Sequence, residues 1–518
     1  MAYHRASRFA DAASICNGII AVQPDNFDAT YLLAMLQAQQ GAIPLAVEMF
    51  RRAVRLNPRA VDAHYNLALA MNLTGDHENA LKHYRRVLKL DPTHIDANNN
   101  YAGTLAKLGR FHDAVAQYRN LLARKPDHAE GYCNLSVLLT ELDRPEDAVE
   151  SAERAISIYP NYAEAHFTCA IALAEIGRVD EALASYDRAI ALKPDYAEAH
   201  RNRYLLQLLK GDYDRGWPEM QWRKKIISPH MSRVDKPVWL GDADIANKRL
   251  LVHWEQGLGD TIQFCRFIPL LQKMNASILF MPQRSLRALV SGLASEIQLV
   301  NDGDPLPDFD YHCPLMSLPL AFKTTVETIP RNVPYLFAER QRVEKWRNVI
   351  GEHGFKVGIA WHSNVAGKEI RKSVPLSQFE CLSKLPDVRL ISLQKNEGSA
   401  QVGKHLSGVK VDSLGESFDA GEDAFIDTAA VMKSLDLVIT IDTSVAHLAG
   451  ALGVPTWVAL KQVPDWRWLM DRADSPWYPT VRLFRQPARD DWDSVFRSIQ
   501  EVLTEHLASH CGRSDADR

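Results

Sequence analysis

Two periodicities share the chain. Up to residue 228, small and apolar residues return every 34 positions. Ala12, Ala46, Ala80, Ala114, Ala148 and Ala182 keep this spacing, as do Pro24, Pro58, Pro92, Pro126, Pro160 and Pro194. Gly41, Gly75, Gly109, Gly177 and Gly211 share it, with Asp143 standing once in place of glycine. Phe50, Tyr84, Tyr118 and Tyr186 follow it too, with Ala152 in the gap. Each period reads as a helix–turn–helix pair: the alanines let two helices approach, and the proline ends the second. After residue 228 the period changes. Short apolar runs alternate with helical stretches, which predicts an α/β region with parallel sheet.

The 34-residue spacing is the tetratricopeptide pattern. The array starts inside a repeat near Met1, runs through whole repeats from 25–58 to 161–194, and ends in a sixth that departs at Gly211-Asp212-Tyr213-Asp214-Arg215-Gly216-Trp217. Trp217 and Trp222 are expected to cap the solenoid against the next domain. Asn66, Asn100, Asn134 and Asn202 occupy one repeat position, on the first helix of each pair, with Thr168 in the fourth. That helix lines the concave face, the usual binding surface of a solenoid. A ladder of amides there suits the backbone of an extended peptide; the alternative is four solvated surface amides.

In the α/β region, strands are expected at 249–254, 277–281, 297–300, 310–314, 356–361, 388–393, 409–414, 437–439 and 456–460. Helices are expected at 261–273, 283–293, 340–351, 377–385, 425–435 and 491–507. Pro237 and the turn at Gly241-Asp242-Ala243-Asp244 mark the boundary. The expected domains are a solenoid over 1–228, a first lobe over 229–345, a second over 346–507 and a disordered tail over 508–518.

Composition narrows the field. A net charge of −4 gives no basic field for nucleic acid or anionic membrane. Seven scattered cysteines with no CxxC pair argue against zinc or a disulfide framework and suit a reducing cytosol, so a cytoplasmic protein is expected. No signal peptide is expected behind Met1-Ala2-Tyr3-His4-Arg5, and no apolar run is long enough for an integral membrane segment.

Chemistry concentrates at two turns. Thr440-Ile441-Asp442-Thr443-Ser444-Val445-Ala446-His447 follows one apolar run, and Gly453-Val454-Pro455 leads into the next. This is a βαβ unit whose first turn faces a ligand crevice, with a helix N-terminus behind it. Asp442, Thr443, Ser444 and His447 gather there, as a phosphate-binding corner would have them. The second turn is Glu255-Gln256-Gly257-Leu258-Gly259-Asp260-Thr261. Gly257 and Gly259 allow close approach of the backbone to a ligand. Asp260 reads either as an N-cap or as a general base at a strand's carboxyl end.

Together, Gly259-Asp260 and Asp442-Thr443-Ser444-Val445-Ala446-His447-Leu448-Ala449, closing at Pro455, resemble the heptosyltransferases of glycosyltransferase family 9 over residues 245–505. The resemblance implies a GT-B fold of two Rossmann-like lobes. Tetratricopeptide repeats before GT-B are also similar in architecture to the O-linked N-acetylglucosamine transferases. By position, the resemblance makes Asp260 the base that deprotonates the acceptor. Gly257, Gly259, Asp442, Thr443, Ser444 and His447 hold the donor. Lys372, in Arg371-Lys372-Ser373-Val374-Pro375, neutralises the leaving diphosphate, and Glu397 contacts the donor nucleoside. Without the resemblance, Lys372 and Arg371 read as a solvated pair and His447 as a packed helix histidine.

The expected function is an inverting, metal-independent glycosyltransferase. It moves a sugar from a nucleotide-sugar to a protein or surface-glycan acceptor recruited by the repeats, without a cofactor. No metal site is expected, since Asp242-Ala243-Asp244 sits in the linker. The donor stays open between ADP-heptose, by the turns, and UDP-N-acetylglucosamine, by the architecture. The alternative is a non-catalytic tetratricopeptide scaffold carrying a relic transferase domain.

Overall fold

A computed structural model describes residues 2–226, 235–293, 296–363, 372–395, 398–402 and 409–514. The chain divides into two compact units, Met1–Asp195 and Tyr196–Arg518. By contact, the last helical pair falls in the unit of the α/β region.

In the first unit, a single helix, Ala2–Val22, precedes five helix pairs, from Phe27–Gln39 with Ile43–Leu56 to Ala163–Glu175 with Val179–Leu192. Ala46, Ala80, Ala114, Ala148 and Ala182 are fully buried where helices meet. The turns explain the glycines. Gly41, Gly75, Gly109 and Gly177 have φ between 72° and 80°, and Asp143 takes the same left-handed conformation at 63°. A side chain strains that conformation, least so for Asp and Asn, so Asp143 is the mildest departure available. Phe50, Tyr84, Tyr118 and Tyr186 are all buried, filling the space between paired helices.

The second unit opens with helices Ala197–Leu209 and Tyr213–Glu219, then carries two parallel sheets. The first sheet holds β1 (Arg249–His253), β2 (Ser277–Met281), β3 (Gln298–Leu299) and β4 (Tyr311–Pro314), in the order β3-β2-β1-β4. The second holds β5 (Phe355–Ala360), β6 (Val388–Ser392), β7 (Val411–Asp412), β8 (Leu437–Ile441), β9 (Thr456–Leu460) and β10 (Val481–Arg485), in the order β10-β9-β8-β5-β6-β7. β8 and β9 are buried along their whole length, as central strands covered on both faces are. Val357, Ile359, Leu437, Ile439, Phe496 and Ile499 belong to the core under this sheet.

Both sheets reverse direction of winding, the first between β1 and β4, the second between β5 and β8. In such sheets the crevice outside the carboxyl ends at the reversal is where ligands bind. The reversals thus direct attention to the turns after β1 and β8.

Several expected elements differ. No strand was expected at Val481–Arg485, which forms edge strand β10 after a long irregular loop. The helix expected from Thr261 starts at Leu258 and breaks into Leu258–Phe264, a 3-10 turn and Ile268–Gln272, with Pro269 at the start of the last piece. The C-terminal helix, Trp492–Ser514, runs past the expected end at Leu507, so residues 508–514 are helical and not a disordered tail. Asp242 and Asp244 each cap the local backbone, accepting from Leu240 and Ala246 N–H, so this segment is a turn. Trp217 donates to the Thr324 carbonyl at 2.8 Å and packs edge-on to Trp466. It thereby ties the helical pair to the α/β region of its own unit. Among the described residues, no helix is long and apolar enough to cross a membrane.

Candidate functional site

The carboxyl ends of β1, β5 and β8 open onto one cavity of about 730 Å³. From the first sheet come Gln256, Gly257, Leu258, Gly259 and Asp260; from the second come His362, Ser363, Lys372, Gln394, Asp442, Thr443, Ser444 and His447. Two turns far apart in sequence therefore share one space. Glu397 and Arg371 lie outside the described residues.

Asp260 is not an N-cap. Helix Leu258–Phe264 is capped by Gly257, and Asp260 sits in its first turn, where its Oδ2 accepts the Gly257 N–H at 2.9 Å. Oδ1 pairs with the Arg467 guanidinium. Burial raises the Asp260 pKa, and Arg467 and the Gly257 N–H offset this only in part, leaving it above the usual carboxylate range. The helix approaches its neighbour closely: a Cβ on Gly259 would stand 3.2 Å from His447 Cδ2 and 3.4 Å from Ser444 Cα. That contact is why a glycine precedes Asp260.

Asp442 follows β8 directly. Its Oδ1 accepts from Trp468 Nε1 at 2.8 Å and its Oδ2 faces Lys372 Nζ at 3.1 Å. Thr443 comes next as the N-cap of helix Ser444–Ala451, yet its hydroxyl makes no capping bond. Its Oγ1 is buried and without a hydrogen-bond partner among the described residues, as is His362 Nδ1. Both belong to cavity-lining residues, where a polar ligand would satisfy them. His447 stacks at 10° on Trp468 and meets Tyr478 Oη through Nδ1 at 3.0 Å. Burial, then the charge of Arg467, holds its pKa well below the ordinary histidine value, so it is neutral near pH 7. Gln394 fixes the turn after β5: its Oε1 accepts the N–H groups of Trp361 at 3.1 Å and His362 at 3.0 Å.

Sequence reading missed Asp465 and Arg467, on the loop after β9. Arg467 Nε donates to Gln263 Oε1 at 2.6 Å and Nη1 to Asp465 Oδ1 at 2.8 Å, while the guanidinium lies 4.4 Å over the Trp466 ring. Burial opposes the charges of both residues. The charges of Arg467 and Lys372 nevertheless hold Asp465 down to about 2, and Asp465 and Asp260 hold Arg467 above its usual value. The signal was the run Asp465-Trp466-Arg467-Trp468, two charges between aromatics just past a strand's carboxyl end.

The expected peptide ladder is only partly on offer. Asn66 and Asn100 each donate to a tyrosine of the preceding pair, Tyr31 at 2.7 Å and Tyr65 at 2.9 Å, and Asn134 donates to Asn99 Oδ1 at 3.2 Å. These amides thus bind one repeat to the next. Asn202 lies in the second unit, half-buried on helix Ala197–Leu209.

Two tetratricopeptide-repeat family models match the chain, one over residues 1–52, 43–95 and 103–163, the other over 73–132 and 139–204. The N-terminal unit is thus a tetratricopeptide solenoid, a class of fold that presents an extended surface to proteins and peptides. A curated relative, protein FlbA of Caulobacter vibrioides, is 25% identical over 335 residues, covering 59% of this chain and 55% of its own. The chain spans about half the length of this relative. Among solved structures, PilF of Pseudomonas aeruginosa is similar at 22% identity, over 39% of this chain and 91% of its own, with a TM-score of 0.35. YrrB, described as a tetratricopeptide protein with an unusual peptide-binding site, is similar at 23% identity, over 36% and 95%, with a TM-score of 0.30.

Proposed function

We propose that the second unit is an inverting glycosyltransferase of GT-B type that uses a nucleoside-diphosphate sugar, and that the tetratricopeptide unit recruits its protein or surface-glycan acceptor. The observation that carries this reading is one cavity holding Asp260 from the first sheet and Lys372, Asp442, Thr443, Ser444 and His447 from the second. Three carboxylates gather around Lys372 and Arg467 in this space, and their surroundings sort them. Asp442 is engaged by Lys372 and Trp468, and Asp465 is held ionised and weakly basic by Arg467. Asp260 has its pKa raised, which suits a general base.

In the step, Asp260 takes the proton of the acceptor hydroxyl while that oxygen bonds to the anomeric carbon. The bond from that carbon to the diphosphate oxygen breaks, and its electron pair leaves with the nucleoside diphosphate. Lys372, Arg467 and the N–H groups opening helix Ser444–Ala451 meet the charge, the kind of fixed electrostatic support that lowers such barriers. Thr443 Oγ1 donates to a phosphate oxygen, and neutral His447 bonds the donor without repelling a cation.

Incubating the chain with a panel of nucleotide-sugars and following nucleoside diphosphate release tests the reading. Release from at least one donor is expected, and Asp260→Asn lowers the rate about 10²- to 10⁴-fold. Binding to no nucleotide-sugar would leave the scaffold reading, in which the repeats alone carry function.

A further inference from the structure

The cavity wall that receives the donor in this reading has two of its cations, Arg467 and Lys372, already engaged. Each nitrogen of the Arg467 guanidinium group has a partner: Nε has Gln263, Nη1 has Asp465 and Nη2 has Asp260. Lys372 faces Asp442. Asp260, Asp442 and Asp465 with Lys372 and Arg467 make a cluster of three carboxylates and two cations, so the cluster carries a net charge of −1 before any ligand arrives. A diphosphate brings further negative charge into a buried site, where an uncompensated charge is expensive. At this cluster a diphosphate is bound more favourably when a cation changes partner.

Among the contacts of Arg467, one is held least. Asp465 is two residues away on the same loop and holds Arg467 twice, accepting from Nη1 at 2.8 Å and from the Arg467 backbone N–H at 3.1 Å. Gln263 holds Nε at 2.6 Å. Asp260 touches Arg467 only through Nη2 and comes from the other sheet, 207 residues away. When Nη2 leaves, Asp260 keeps its Gly257 N–H bond at 2.9 Å, and Arg467 stays seated on Asp465, Gln263 and Trp466. Of the Arg467 contacts, the Asp260–Nη2 contact is the one that can open with the others in place.

We propose that Arg467 masks the general base in the empty site and that the donor's diphosphate unmasks it, by drawing Nη2 away from Asp260. The inference rests on the glycosyltransferase reading and adds an order to it, with donor binding before the acceptor is activated. Arg467 then touches substrate and also positions the base. While masked, Asp260 has its two oxygens occupied and its proton affinity lowered by the adjacent cation. Unmasked, it has Oδ1 open to the acceptor hydroxyl and a higher affinity for a proton. Besides Arg467, the charged groups acting on it are Asp465 on the loop after β9 and Glu255 on its own turn, and neutral His447 on helix Ser444–Ala451 stands against the preceding Gly259. Among the described residues, Arg467 is the cation that pairs with it.

The test is calorimetric titration of the full chain with inorganic pyrophosphate, in buffers of different ionisation enthalpy, from pH 5 to 9. Binding is expected to take up protons, and Asp260→Asn is expected to remove a clear part of that uptake while pyrophosphate still binds. Asp260→Glu, which keeps the carboxylate, is expected to restore it and serves if the Asn variant does not fold. Arg467→Lys is expected to weaken pyrophosphate about tenfold, the share of one charge-assisted hydrogen bond. Identical proton uptake in the wild type and Asp260→Asn would overturn the unmasking while leaving the donor site standing. Failure of the wild type to bind pyrophosphate would overturn the donor site and the unmasking together.

Discussion

Ala46, Ala80, Ala114, Ala148 and Ala182 do one job at five places in the solenoid, whereas every residue around the cavity of the second unit does its job once. Asp260 bonds the Gly257 backbone and Arg467; Arg467 bonds Asp260, Asp465 and Gln263; Asp442 bonds Lys372 and Trp468. The repeats are a sum of similar local terms, each pair meeting only its neighbours. The cavity is a network in which removing one member leaves others unpaired in a buried site. The difference predicts that substitutions in the solenoid change stability locally and leave ligand binding alone, while substitutions near the cavity change both.

The largest effect tests the solenoid side. Tyr84 is fully buried between the helices of its pair, and Tyr84→Ala is expected to cost about 3–5 kcal/mol through lost burial and the cavity left behind. In chemical denaturation followed by circular dichroism, the loss belongs to the transition of the first unit, and pyrophosphate affinity stays unchanged. An equal shift of both units, or a loss of affinity, would break the distinction.

Acid separates the units next. His83 and His64 face each other through Nδ1 at 2.9 Å inside the solenoid. Burial first, then the neighbouring His64, Arg51 and Lys82, lower His83 from 6.5 to about 4, with Asp76 opposing. The unfolded chain takes up this proton below pH 6.5, and the folded chain does so only near pH 4. Stability of the first unit is therefore full above pH 6.5 and falls as pH drops towards 4, by about 2 kcal/mol after discounting for partial exposure. His83→Gln is expected to flatten that slope in melting curves measured between pH 7 and 4.

Gly450 probes the cavity side with a smaller change in stability. A Cβ there would stand 2.4 Å from the Tyr478 ring, whose hydroxyl holds His447. Gly450→Ala is expected to cost about 1–3 kcal/mol by overpacking. It also shifts His447, so pyrophosphate affinity falls with stability, in contrast to Tyr84→Ala.

The same contrast governs what could be read from the chain. The repeat was legible because each of its markers recurs in register, so one exception such as Ala152 or Asp143 does not hide it. Both cavity turns were legible as glycine- and aspartate-bearing segments following apolar strands. The pairing of Asp260 with Arg467 was not, since two residues 207 apart meet only through the packing of separate sheets. β10 was missed for a related reason: five residues with two exposed or half-exposed arginines become a strand only because β9 offers them an edge. Helix Ala197–Leu209 keeps the repeat's spacing and yet belongs by contact to the unit of the α/β region, a placement made by tertiary packing.

The smallest effect falls on the asparagines, where the repeat's periodicity and its proposed binding role meet. Asn100 donates to Tyr65 Oη at 2.9 Å and is half-buried, so Asn100→Ala removes one neutral hydrogen bond between successive pairs. Such a bond contributes about 1 kcal/mol, and Tyr65, itself half-buried, recovers part of that from water. Asn66→Ala, which frees Tyr31 in the same way, is expected to match it within a few tenths of a kcal/mol, because the two contacts are equivalent and one pair apart. Equal, small and additive losses in denaturation would mark the amides as fasteners between repeats. A peptide-binding role adds a second effect that stability does not register: affinity for an extended peptide would fall with each asparagine removed, by more than the loss of stability accounts for. Measuring both on Asn66→Ala, Asn100→Ala and the double variant separates fastening from binding, since fastening predicts additive stability losses with unchanged peptide affinity.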